Sequence, residues 1–324
     1  MKSLSPTARG YLLIHLCVVL WGFTSIFGRL ITLDALELVW WRMVIAAGVL
    51  LLVPAVWRPL RRMPRRLILA YCGIGVLLTG NWTLFYFAIK LANASVGAIC
   101  IGTAPMFLAL VEPALAHRRF SLREGLIGLG TIPGIAMIVG GIPARMYVGF
   151  GVGMASVLCI VFFSIFNKRL IERAPPATLT FIEVATGAVL LSVVTALLPH
   201  GDAAFVLPQG RNLWLLLVLS IGLTLLPMIM LFMALHHISA FAQQVATNLE
   251  PVYAVLLAIP ILGEQRQLGP LFYAGVVVIV GTAIAEPLIA ALRARHPVEV
   301  PPRGQPQLAA HAVNSAALPP GGHP

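Results

Sequence analysis

Apolar runs of about 20 residues recur along this chain from Tyr11 to Ala291, and each can cross a hydrocarbon core about 30 Å thick. Of the 324 residues, 59% are apolar and only 10% are charged, whereas a soluble domain is about 45–50% apolar and about 25% charged. The runs lack the alternation of barrel strands, so helices are the form that satisfies the backbone inside a bilayer. The sequence therefore predicts an all-α integral membrane protein.

Ten membrane spans can be drawn along the chain, with short turns between several of them. They cover residues 11–32, 36–56, 67–89, 95–116, 124–142, 148–168, 178–198, 213–235, 240–262 and 269–291. Residues 1–10 precede the first span, and residues 292–324 form a proline-rich tail with few large apolar side chains. Such a composition is typical of disorder, so we expect a disordered cytoplasmic tail.

The net charge of +11 has an uneven distribution over the loops. If residues 1–10 are cytoplasmic, the inside loops hold most of the basic residues, and only Lys90, Arg145, Arg211 and Arg266 lie outside. This asymmetry matches the positive-inside rule with both termini in the cytoplasm of a cell whose plasma (inner) membrane holds the protein. The charge is thus explained by topology, and we expect no nucleic-acid partner.

An internal repeat appears when the chain is shifted by 146 residues against itself. Residues 85–122 then align with residues 231–268 without a gap, and Pro105 meets Pro251. Each half contains five predicted spans, and an odd number makes the second half enter the membrane from the opposite side. Residues 11–142 and 148–291 are therefore predicted to be two inverted five-helix repeats, the usual plan of secondary transporters.

Several short motifs resemble those of the EamA family within the drug/metabolite transporter superfamily. They are Trp21-Gly22, Trp41-Arg42, the Ala-Pro and Glu-Pro pairs at 104–105 and 250–251, and Leu262-Gly263-Glu264. The resemblance implies a ten-helix exporter or exchanger of amino acids, other small metabolites or drugs, with a central cavity shared by both halves. One position departs from the pattern, because His117-Arg118 stands where the first repeat should end in Gly-Glu.

Polar residues are most concentrated in the ninth predicted span. At helical spacing they form one continuous face, and Pro251 deprives the carbonyl of Thr247 of its helical partner. Such a face suits the amino or hydroxyl groups of a small solute, although bonding between helices would also explain it. The set comprises Gln243, Gln244, Thr247, Asn248 and Glu250.

Two carboxylates and one arginine are candidates for coupling or recognition. Glu112 and Glu250 lie inside predicted spans, where a carboxylate can take up a proton near neutral pH, so either is a candidate for proton coupling. The alternative is a carboxylate held by a fixed cation, with Arg42 or Arg118 as the expected partner. Arg42 is itself a candidate for an ion pair or for a substrate carboxylate, and an interfacial anchor is the alternative.

Aromatic side chains complete the predicted cavity. Trp82 and Tyr86 lie four residues apart on one helix face beside Asn81, and Trp21 in the first span can join them. Aromatic walls with polar tips suit an amphipathic solute, while simple packing is the alternative. The helix breaks expected at Pro105 and Pro251 would border this cavity.

The functional prediction is a secondary transporter that exports a small organic metabolite by alternating access. No phosphate-binding loop, zinc motif or nucleophile elbow occurs, so no catalytic residue, metal or cofactor is expected. A flippase of a lipid-linked sugar is the alternative, and an integral membrane lipid enzyme is a weaker one. The expected partners are the solute and the bilayer, and a homodimer is left open.

Overall fold

The computed structural model describes residues 5–115, 122–170, 173–198, 205–238 and 246–295, and within these ranges every regular element is a helix. The chain divides into one large unit, Met1–Leu288, and a second unit, Ile289–Pro324. The contacts considered below all lie within the large unit.

The first half of the chain forms helices in the order that the apolar runs predict, with several interruptions. The helices are α1 Pro6–Leu30, α2 Ala35–Leu51, α3 Pro54–Arg62, α4 Arg65–Leu91, α5 Ala94–Ile101, α6 Ala104–Leu115, α7 Leu122–Leu129 and α8 Thr131–Gly141. The chain bends by 88° between α2 and α3, so α3 runs across the direction of α2.

The second half begins with a 3-10 turn at Ala144–Met146, and its described residues continue through the following α-helices. These are α9 Tyr147–Leu170, α10 Pro176–Leu197, α11 Arg211–Leu217, α12 Leu226–Leu235, α13 Glu250–Leu262 and α14 Pro270–Arg295. A π-helical segment, Val218–Leu225, joins α11 to α12, and a 3-10 turn at Glu264–Arg266 follows α13.

The described helices support six or seven membrane spans by their length and composition. Among the residues with described positions, six helical stretches are long and apolar enough to cross a bilayer, and a seventh is obtained if α2 and α3 are one bent span. Thr131–Gly141, Glu250–Leu262 and Pro270–Ala285 are apolar but shorter. The multi-pass, all-helical prediction is confirmed, while the count of ten stays a prediction because breaks shorten several of the helices.

Helices of the two repeats pack directly against one another, and α4 and α9 make the most extensive contact, running antiparallel. Near one end Tyr71 Oη donates to Leu170 O at 2.8 Å, and in the middle Asn81 Nδ2 donates to Ser156 Oγ at 2.9 Å. At the other end Gly149 of α9 lies against Ala92. We call these the α3 end and the α5 end of the bundle, after the short helices near them.

Glycines allow this close approach between helices. A Cβ atom at Gly149 would lie only 2.8 Å from Ala92 N, and one at Gly153 only 2.7 Å from Cys100 Sγ. A Cβ atom at Gly151, on another face of α9, would meet nothing within 4 Å. Only two of these three glycines are therefore required by packing.

Candidate functional site

The helix breaks of the two repeats meet inside the bundle. The first is the interruption at 102–103 between α5 and α6, immediately before Pro105, and the second is the start of α13 at Glu250, immediately before Pro251. A Cβ atom at Gly102 would lie 3.2 Å from Pro251 Cγ, so the two interrupted segments are in contact. Positions related by the internal repeat are thus brought together at one place in the fold.

Arg42 is the central charged residue of the candidate site. Its side chain on α2 is only 5% exposed, and its guanidinium donates from Nε to Thr224 Oγ1 and from Nη1 to Tyr86 Oη, both at 3.0 Å. Its Cζ also lies 3.7 Å from the centroid of the Trp82 ring, in cation–π geometry. Arg42 is therefore enclosed by the protein and is not an interfacial anchor that reaches to the bilayer surface.

The two hydroxyl groups that accept from the guanidinium are oriented by their own hydrogen bonds to backbone carbonyls. Thr224 lies in the π-helical segment, and its Oγ1 donates to Leu219 O, five residues earlier, at 2.7 Å. Tyr86 is fully buried, and its hydroxyl donates to Thr24 O of α1 at 3.4 Å. Helices α1, α2, α4 and the π segment together fix one arginine, which accounts for its full burial.

Glu250 supplies the opposite charge from the second repeat. It opens α13, its side chain is partly exposed, and its charge acts electrostatically on Arg42, Tyr86 and Cys17. Within the described part of the chain, Arg42 and Glu250 form no ion pair, and the described hydrogen bonds of the guanidinium go to Thr224 and Tyr86. Two opposite charges therefore lie near one another without neutralising each other directly.

The other residues predicted to line a cavity fall into different surroundings. Trp82 is half-buried beneath Arg42, whereas Trp21 packs in an apolar cluster with Ile14, Cys17 and Val18. Asn81 is buried, and its side chain bonds across to Ser156 of α9.

The described residues include only part of the polar face of the ninth predicted span. Thr247 and Asn248 are half-buried, and both have interaction partners. The Asn248 side chain donates to Ala283 O of α14 at 2.8 Å, which is the interhelical role that the sequence left as an alternative. Gln243 and Gln244 lie outside the described residues.

Glu112 lies apart from this cluster. Its carboxylate forms an ion pair with Lys168 of α9 at 3.1 Å, and the lysine side chain is 77% exposed. The described partner is therefore Lys168 and not Arg42, and Arg118, the other cation expected from sequence, lies outside the described residues. A carboxylate in an exposed pair at the α3 end of the bundle is poorly placed to meet a solute beside Arg42.

Glu264 has a structural contact that sequence reasoning did not foresee. Its side chain is 2% exposed, and its two carboxylate oxygens accept hydrogen bonds from Ala94 N at 2.8 Å and Ser95 N at 2.9 Å. These amides belong to the first turn of α5, where a helix has free N–H donors and favours negative charge. A residue of the second repeat therefore caps a helix of the first repeat.

Thr224 was also missed, and no sequence signal marks it. A threonine in a long apolar run is typical of an ordinary helix. The π segment that turns it toward Arg42 does not differ in amino-acid composition from the helices beside it. The burial of Ser156 opposite Asn81 was equally hidden, because nothing in the sequence pairs two positions 75 residues apart.

The chemistry available at the site is recognition. In the ranges that the structure describes, no three histidine, cysteine, aspartate or glutamate side chains come together as a metal site would require. The groups that do come together are a buried guanidinium, a partly exposed carboxylate and an indole face. Together they provide charge and aromatic surface for a solute.

This fold and this interior site define a class of protein, namely a multi-pass helical membrane protein made of two similar halves that meet around a buried arginine and a partly exposed glutamate. Residues 8–140 and 148–286 each match the EamA-like transporter family. The chain belongs to the EamA-like transporter family, as its motifs suggested.

Relatives and solved structures are consistent with this assignment. The chain is 27% identical over 220 residues to an uncharacterized transporter of Synechocystis sp., an alignment that covers 62% of this chain and 63% of the relative. It is 23% identical over 300 residues to an uncharacterized transporter of Clostridium kluyveri, covering 85% and 92% of the two chains. One solved crystal structure, 18% identical, superposes with a TM-score of 0.58 over 87% of this chain and 98% of its own, which supports the fold.

Proposed function

We propose that this protein is a secondary transporter that carries a small organic solute across the membrane by alternating access between its two halves. The observation that carries the proposal is the pair formed by Arg42 of the first repeat and Glu250 of the second. The two charges influence each other but are not joined, and each belongs to a different half. A solute that binds both would link the two halves, which is the requirement for alternating access.

The chemistry of the pair favours a zwitterionic solute, such as an amino acid or a related compound. A carboxylate can approach the guanidinium of Arg42, an ammonium group can approach Glu250, and the Trp82 ring offers an apolar wall. Arg42 is buried yet leaves three of its five N–H donors unused by its described hydrogen bonds. The site thus has donors available for a substrate carboxylate.

The remaining features of the proposal come from the sequence. They are ten spans in two inverted repeats, an inner-membrane location with both termini in the cytoplasm, and export as the direction of transport; apolar runs, loop charges and family resemblance support them. Proton coupling is assigned to Glu250 in preference to Glu112, because Glu112 already has a lysine partner at 3.1 Å and Glu250 lies beside the buried arginine.

The test compares metabolites in the medium of cells that express the wild-type chain, Glu250→Gln or Glu112→Gln at equal membrane levels. We expect one amino acid or related metabolite to accumulate outside wild-type cells, and Glu250→Gln to lower that accumulation at least about tenfold, because a charged contact is lost. Glu112→Gln is the matched control, since it removes a carboxylate from the same membrane protein without touching the site, and it should keep most of the accumulation.

Two results would contradict the proposal. If no soluble metabolite differs between wild-type and empty cells, a transbilayer assay with a lipid-linked sugar follows, and activity there would replace the proposed solute with a lipid. If both glutamine variants export as well as the wild type, Glu250 has no role in the site.

A further inference from the structure

The bend between α2 and α3 produces an amphipathic surface that the transport site does not use. Helix α2 is apolar and spans the bundle, whereas α3 turns away from it by 88° and carries three arginines in its nine residues. A short basic helix that runs across a membrane helix has the geometry of a segment lying in the bilayer interface. We call residues 51–66, which contain this bend and the start of α4, the elbow.

The basic side chains of the elbow are exposed. Five of them fall within nine residues, all with exposed side chains, and none takes part in an ion pair among the residues with described positions. They are Arg58, Arg61, Arg62, Arg65 and Arg66. A cluster of like charges of this density attracts anionic headgroups, and no acidic side chain of the described ranges pairs with it.

The rest of the elbow is arranged as an interfacial anchor. Leu52 is 81% exposed at the bend, where it can enter the hydrocarbon, while Val56 is fully buried against the bundle. Trp57 donates from Nε1 to Leu51 O at 2.7 Å, and its ring lies 5.8 Å from that of Phe181. Tryptophan favours the headgroup level of a bilayer. The apolar, aromatic and basic groups of the elbow therefore match the hydrocarbon, interfacial and headgroup levels of a phospholipid leaflet.

The elbow is also held firmly to the bundle. Thr178 Oγ1 of α10 donates to Val56 O at 3.3 Å, and the Trp57–Phe181 contact joins the same two helices. The arginines are therefore presented on a fixed backbone. Arginine binds phosphate through paired N–H donors, and an ordered row of arginines can engage several headgroups.

We propose that the elbow is a binding surface for anionic phospholipid, with Arg58, Arg61 and Arg62 of α3 as the headgroup contacts. Lipid bound there would fix α3 in the interface and, through α2, support the position of Arg42. The proposal stands independently of the transported solute, because it rests on the exposed face of the elbow alone.

The experiment uses the full-length protein, purified in a non-ionic detergent and supplemented with mixed micelles of dioleoyl phosphatidylglycerol or dioleoyl phosphatidylcholine. We expect phosphatidylglycerol to raise the thermal unfolding midpoint by roughly 5 °C and phosphatidylcholine to have little effect, since a ligand stabilises the state that binds it. The triple variant Arg58→Gln, Arg61→Gln, Arg62→Gln should lose most of that rise. A phosphatidylcholine effect as large as the phosphatidylglycerol effect would overturn the proposal.

The matched control removes the same charge from the α5 end of the bundle. The triple variant Arg145→Gln, Arg211→Gln, Arg266→Gln replaces three exposed arginines and should keep the full rise. Equal loss in both triple variants would show a general effect of net charge and would overturn the proposal, as would an unchanged rise in the α3 variant.

A salt titration of the wild-type protein gives an answer that does not depend on how well any variant folds. At 1 M NaCl the screening length is about 3 Å, so contacts between exposed arginines and headgroups should weaken strongly. The midpoint rise caused by phosphatidylglycerol should then fall to less than about one third of its low-salt value. A rise that persists at 1 M NaCl would place the lipid somewhere other than this exposed basic surface.

Discussion

Gly149→Val is expected to destabilise the protein by about 3 kcal/mol, the upper part of the usual range for overpacking a tight interior. A Cβ atom at this position would lie 2.8 Å from Ala92 N and 3.0 Å from Leu91 C, and backbone atoms cannot move aside as a flexible side chain can. Relief would require α9 to separate from the end of α4, which is the most extensive contact between the two repeats. The measurement is the free energy of unfolding of the purified protein in mixed detergent micelles.

Gly151→Val provides the control for this prediction. The substitution is chemically the same and lies two residues away on α9, but a Cβ atom there meets nothing within 4 Å. Its effect should stay within about 0.5 kcal/mol, as for other substitutions without contacts. If the two variants were equally unstable, a general effect of valine in α9 would explain the result and the close approach at Gly149 would not.

Glu264→Ala is expected to cost about 3 kcal/mol of stability and to loosen the start of α5. The substitution removes both acceptors of the Ala94 and Ser95 amides, and both residues are fully buried. Hydrogen bonds to charged groups contribute about 1.5–3 kcal/mol each, and losses from one shared acceptor are not additive. Hydrogen exchange should become faster at these two amides, and the unfolding midpoint should fall.

Gln265→Ala separates this effect from a general disturbance of the turn. Gln265 is the next residue in the same 3-10 turn, and its side chain is exposed. The variant should leave both the midpoint and the exchange of Ala94 and Ser95 unchanged. Protection of those amides that survives in Glu264→Ala would show that another group caps α5.

The Glu264 contact also explains what the departure of the first repeat from the family pattern means. Arg118 occupies the position related to Glu264 by the 146-residue shift, and a guanidinium only donates hydrogen bonds. It cannot accept the amides of a helix start as Glu264 does. The cap at the α5 end of the bundle therefore has no carboxylate counterpart at the related position of the sequence, and Arg118 itself lies outside the described residues.

The sequence predicts much of the fold, because the fold is constrained mainly by the length of the apolar runs. Runs of about 20 apolar residues have to become helices in a bilayer, and the helices of the structure start within a few residues of most predicted spans. The prolines at 105 and 251 predict the helix interruptions beside them, because proline lacks an N–H donor and this effect acts locally. The count of spans depends on more than length, because a break can shorten a span below the length that identifies it.

The site was harder to predict because it depends on which faces of distant helices meet. Arg42 and Glu250 stand out as charges in apolar segments, so single residues could be nominated from the sequence. Their neighbours could not be: the hydroxyl beside Arg42 comes from Thr224, 182 positions away. Asn81 shows the opposite case, since a polar residue nominated for a cavity bonds instead to the neighbouring helix.

The π-helical segment has a consequence for the direction in which protons are donated around Arg42. A threonine hydroxyl has one proton, and Thr224 gives its proton to Leu219 O, so toward the guanidinium it can only accept. Tyr86 is in the same position, because its proton points to Thr24 O. Neither hydroxyl has a proton left for an anion. A solute carboxylate bound as proposed above would therefore take its hydrogen bonds from the guanidinium itself, through N–H groups that make no described hydrogen bond.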